Sequence, residues 1–143
     1  MILMNTTHPE IPLLAFIDSD FGEADADQLR AVGEELAAKR HHWVLGEPRF
    51  VDETDDQGVR TVGILHHLYA AFDETGRLLD EGIDREQLDE VRTIVAALQS
   101  VSARTGIDLG LELDGDSVGW VERGRLTEDL RVGLLEAWAS RFA

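Results

Sequence analysis

Five carboxylates, Asp18, Asp20, Glu23, Asp25 and Asp27, fall within ten residues. Such a set suits a hard cation such as Ca²⁺, which takes oxygen ligands. The EF-hand spacing is absent, however. Counting from Asp18, the sixth residue is Glu23 where a glycine is needed, and the twelfth is Leu29 where a bidentate Glu is needed. A loop starting at Asp114 does have Gly119 sixth, but Arg125 stands twelfth. Turn and helix-start chemistry accounts for both sets, and neither a metal nor another cofactor is expected. A second acidic segment, Asp52, Glu53, Asp55 and Asp56, lies in a polar turn. These nine acids are the candidate binding residues.

The histidines are His8, His41, His42, His66 and His67. No HExxH pair is present, and zinc needs converging ligands. On a strand, His66 and His67 point to opposite faces. A sheet-face cleft combining one of them with the acids of residues 18–27 is the enzymatic or small-ligand alternative. Nucleophilic catalysis has no support: there is no cysteine and no GxSxG elbow. Glycine-rich phosphate loops are also missing. No catalytic residue is assigned.

The net charge is −16, from 13 Lys+Arg and 29 Asp+Glu spread along the chain. That charge repels nucleic-acid phosphates and anionic membranes and favours a basic protein partner. The leading expectation is therefore a small protein that works by binding another protein, such as an inhibitor or immunity-type protein. A nucleic-acid mimic is a further alternative. The N-terminal stretch has no basic n-region, and the apolar run at residues 11–17 is too short to span a membrane. A cytoplasmic chain forming one domain is expected.

These residues need elements to hold them. Residues 11–17 (IPLLAFI) read as a central strand, being continuously apolar. Residues 25–41 read as a helix capped by Asp25, in which Gly33 costs about 1 kcal/mol unless something packs closely on it. Residues 43–51 read as a strand, with Pro48 arguing for a sheet edge or a bulge; an exposed edge there would make pairing into a homodimer plausible. Residues 59–72 fit strand or helix spacing; the strand is preferred because residues 72–79 resemble a hairpin turning at Gly76, with a short return strand at residues 78–81. Residues 84–105 read as a helix capped by Asp84 and closed by Gly106. Residues 108–124 form two strands about Asp114, Gly115 and Asp116, with Leu109, Leu111 and Leu113 on one face. Thr127 caps a last helix whose stripe steps by four through Leu130, Leu134, Trp138 and Phe142.

The order β-α-β-β-(β)-α-β-β-α predicts an α+β fold: one mostly antiparallel sheet of five to six strands with three helices packed on it, and possibly a ferredoxin-like core.

Overall fold

The computed structural model describes residues 7–142. The reading of the extreme N-terminus as lacking a signal peptide falls partly outside them. Six strands, β1 (Glu10–Ile17), β2 (Arg49–Thr54), β3 (Arg60–Tyr69), β4 (Leu109–Leu113), β5 (Asp116–Glu122) and β6 (Arg125–Leu126), form one sheet in the order β2-β3-β1-β4-β5-β6. Every neighbouring pair is antiparallel. Two long helices, α1 (Glu23–Lys39) and α2 (Glu81–Thr105), complete a β-α-β-β-α-β unit. Its strand order is that of a ferredoxin-like core, extended by the hairpin and β6. Three consecutive helical pieces, Asp129–Glu136, Ala137–Ala139 and Ser140–Phe142, close the chain as α3.

Strand alternation decides which side of the sheet is dry. Leu13, Ala15 and Ile17 of β1 are buried, and the register aligns them with Leu113, Leu111 and Leu109 of β4. Val62, Ile64, His66 and Leu68 of β3 fall on the same side. The helices supply Leu29, Val32 and Leu36 from α1, and Val91, Ile94, Leu98 and Val101 from α2. The opposite face carries Leu14, Phe16, Leu65 and Trp120, half-buried against one another with no helix over them. β1 is central, between β3 and β4, as its apolar run predicts, but only one of its faces is fully buried. Phe16 lies over Gly110, where a Cβ would sit 2.7 Å from the ring. Gly33 also has its reason, since a Cβ there would approach Phe50 Cβ to 3.2 Å as α1 crosses β2.

Several boundaries differ from expectation. α1 begins at Glu23 behind Gly22; Asp25 is its third residue and accepts the Gly22 N–H at 3.1 Å. β2 begins at Arg49, after Pro48, and Trp43 lies in the preceding turn instead of in the strand. Residues 60–69 are a strand and not a helix. No return strand forms at residues 78–81: Phe72 and Leu78 make a single bridge, and Glu81 already belongs to α2. The cap of α2 is Asp80, which accepts the Ile83 N–H at 3.1 Å. The turn before it is held by Asp73, whose carboxylate accepts from the Thr75 and Arg77 backbones and from the Thr7 and Thr75 hydroxyls. A two-residue strand, β6, was not foreseen.

The last helix departs most. Over Asp129–Glu136 it is π-helical, and Ala137 N–H reaches Val132 O. The wider turn puts Leu130 and Leu135, five apart, into the core. Leu134 and Trp138, placed by the four-residue stripe beside Leu130, are half-buried and pack at the margin of the core.

Gly63 marks the closest backbone approach in the sheet: a Cβ there would lie 1.9 Å from the Ala15 carbonyl oxygen. Gly63→Ala should therefore cost about 3 kcal/mol, the upper range for overpacking. Gly22→Ala, where a Cβ meets nothing within 4 Å, should cost about 1 kcal/mol or less. Urea unfolding of both variants measures the difference.

Candidate functional site

The nine acids singled out from the sequence are carried on neighbouring parts of the fold. β1 ends at Ile17, β3 starts at Arg60 and β2 ends at Thr54, so the β1–α1 loop and the β2–β3 turn emerge at one end of the sheet. Arg60 joins the two segments. Its guanidinium donates to Glu23 Oε1 at 2.5 Å and to both Asp52 oxygens at 2.8 and 2.7 Å, with the Phe21 ring 5.4 Å below. These hydrogen bonds, with the Arg60 charge acting in the same direction, hold the carboxyls of Glu23 and Asp52 below their usual range.

The remaining acids divide by role. Asp18 accepts the Trp120 indole N–H at 2.7 Å, across the uncovered face. Asp25 serves the helix start. Asp55 accepts the Gln57 and Val59 N–H groups and shapes the turn. Asp27 makes a loose 3.9 Å pair with Arg30. Asp20, Glu53 and Asp56 are exposed and, among the described residues, have no ion-pair partner.

The histidines separate as a strand requires. His67 lies on the uncovered face, and His66 is buried on the core side. His66 Nε2 meets Glu90 Oε1 of α2 at 2.9 Å, and Glu90 Oε2 accepts the Val44 N–H at 2.7 Å. Both side chains are almost completely enclosed, at 1% and 0% exposure. Trp43 stands edge-on to the imidazole at 5.3 Å. This buried pair fastens the segment after α1 to β3 and α2, and it is remote from the acids of residues 18–27. Arg40 completes the fastening by pairing with Glu86 and Asp89 of α2 while lying over Trp43. Among the described residues, no three His, Asp or Glu side chains converge to hold a metal ion.

A third feature has no counterpart in the sequence reading. At the other end of the strands, a cleft of about 300 Å³ opens between the sheet and α3, walled by Ile11, Leu68, Leu113, Leu134 and Trp138. Asp84 and Arg141 are its charged groups. Asp84 Oδ1 accepts from Trp138 Nε1 at 2.8 Å and from Arg141 at 3.0 Å. The helix start moved to Asp80, which released Asp84 for this work. Its spacing from Leu88 and Val91, along the buried stripe of α2, was the available signal.

No protein-family model matches the chain, and neither the curated proteins nor the solved structures yield a match. Among the described residues, no helix is long and apolar enough to cross a membrane.

Two outcomes are expected. Glu90→Ala leaves buried His66 and the part-buried Val44 N–H without their partner and should cost about 3–5 kcal/mol, read by urea unfolding. At the acidic end, the two carboxyl pKa values are depressed in the fold. The stability they contribute is present above the unfolded carboxylate range, about pH 4, and is lost as pH falls through the folded values. Arg60→Ala should raise both midpoints toward the ordinary range, seen by carboxyl ¹³C titration, and flatten the stability change below about pH 4.

Proposed function

We propose that the chain acts by binding a basic protein partner through the end of the sheet formed by the β1–α1 loop and the β2–β3 turn, in the manner of an inhibitor. The observation that carries this reading is the Arg60 junction. Two acidic segments some thirty residues apart in sequence are drawn to one place by a single cation, and Asp20, Glu53 and Asp56 in those segments are exposed carboxylates with no ion-pair partner among the described residues. A net charge of −16 extends the same attraction to long range, where it accelerates encounter with a basic surface. Self-association through this end would oppose like charges, so the reading points to a different chain.

The β2 edge supports a partner that meets the loops. Arg49, Asp52 and Glu53 leave this edge charged and exposed, which discourages strand addition. Contact through side chains at the sheet end is left as the simpler route.

The test is charge reversal without unfolding. A variant carrying Asp20→Lys, Glu53→Lys and Asp56→Lys should keep the wild-type melting behaviour, because none of the three makes a hydrogen bond among the described residues. Affinity capture from cells that carry the gene should recover a basic protein with the wild-type chain, at least about tenfold less of it with the variant, and less again as salt is raised. Equal recovery of the same proteins by both chains would sink the reading.

A further inference from the structure

The cleft under α3 calls for explanation because the residues at its mouth leave it open. Gly133 is exposed, and a Cβ there would meet nothing closer than Asp129 Cβ at 3.9 Å. Its backbone does not need the left-handed conformation that excludes other residues. A helical glycine is less favourable than alanine, and neither crowding nor backbone strain accounts for this one. What it does, together with exposed Ala137 one turn on, is leave the cleft uncovered. The π-helical stretch contributes as well: by seating Leu130 and Leu135 in the core, it turns Leu134 and Trp138 toward the cleft wall. Such local π-helical turns are frequent at functional sites.

The polar chemistry is specific. Arg141 spends one N–H on Asp84 and stacks over the Trp138 indole at 5.5 Å. A guanidinium has five N–H donors, and among the described residues no other acceptor reaches this one. Its planar fork matches a carboxylate. Asp84 accepts two donors on a single oxygen and so fixes the positions of both Trp138 and Arg141. The walls are apolar, and the volume is at the lower limit for small-molecule sites.

We propose that this cleft binds a small monocarboxylate with an apolar body, its carboxylate on Arg141 and its body between Leu113, Leu134 and Trp138. The N–H donors that Arg141 does not spend on Asp84 select the head group, and the volume limits the body to a short aliphatic chain or a single aromatic ring.

Octanoate and 3-phenylpropanoate are suitable probes, with octanol and octylammonium as comparisons of similar body. Binding to the full chain is followed through the Trp138 indole N–H signal in ¹⁵N spectra, assigned by its loss in Trp138→Phe. The carboxylates should shift that signal saturably and bind at least tenfold tighter than octanol or octylammonium. Arg141→Gln should remove that preference and leave the octanol affinity unchanged. Gly133→Leu should close the mouth and weaken all the probes at least tenfold without lowering the melting temperature. The proposal is overturned if the carboxylates leave the Trp138 signal unmoved, if they bind no tighter than octanol, or if Gly133→Leu binds them as the wild type does.

Discussion

The Glu90 carboxylate is the group on which the packing most depends. It sits on the buried face of α2 with no exposed surface, where an uncompensated charge or polar group is costly. Both of its oxygens are satisfied, one by His66 and one by the Val44 N–H. Those partners come from a strand and from an irregular segment far apart in sequence. Satisfying Glu90 therefore demands that β3 turn its even-numbered residues inward, that α2 lie over β3, and that residues 40–47 fold back across the pair. Gln87, one helical turn earlier, reads the same strand by accepting the Tyr69 N–H and donating to the Tyr69 carbonyl. Two polar side chains on α2 thus fix its position along β3 where apolar contacts alone would permit sliding.

That polar registration explains what could be read in the sequence and what could not. β1, β3, α2 and the β4–β5 hairpin follow from local patterns: a continuous apolar run, alternation, a stripe ending at a glycine, and a turn whose Asp114 and Gly115 both adopt positive φ. The misread boundaries have non-local causes. Residues 43–48 look like strand because Trp43, Val44 and Leu45 are apolar, yet they are held by α2 through Glu90 and Arg40 instead of by a ladder. Asp80 and Asp84 are both good caps, and only the pairing of Asp84 with Trp138 and Arg141, more than fifty residues away, decides between them. The π-helical turn breaks the period on which stripe counting rests, so Leu135 could not be chosen over Leu134. The acidic residues were visible as types; their meeting was not, because Arg60 had no local mark distinguishing it from the other arginines.

Charge imposes a further constraint. With 29 acids and 13 bases, most carboxylates must face water, and the few cations have disproportionate influence on where acids can approach one another. Arg60 holds acids from two elements, Arg40 holds two from α2 and Arg141 holds one, and each also lies over an aromatic ring. The ring confines the guanidinium to a plane, which favours the two-pronged geometry of a carboxylate pair. The aromatic residues consequently serve the electrostatics as well as the core: Trp43 under Arg40, Phe21 under Arg60 and Trp138 under Arg141.

The acidic end and the cleft lie at opposite ends of the same strands. β1 passes from Ile11 at the cleft to Ile17 beside the acidic loop, about 20 Å at the usual rise per residue. No side chain is shared between the two places. Sites this far apart without common partners act additively, so a substitution at one should leave the other intact. Any coupling would have to pass along β1 itself, which is paired on both edges and aligned by β3 and β4 over most of its length. A strand held in that way has little freedom to shift register, because a one-residue slip would exchange Leu13 and Ala15 for Leu14 and Phe16 in the core. The sheet therefore isolates the two ends: ligand in the cleft and a partner at the acidic loops would each meet a surface that the other does not remodel.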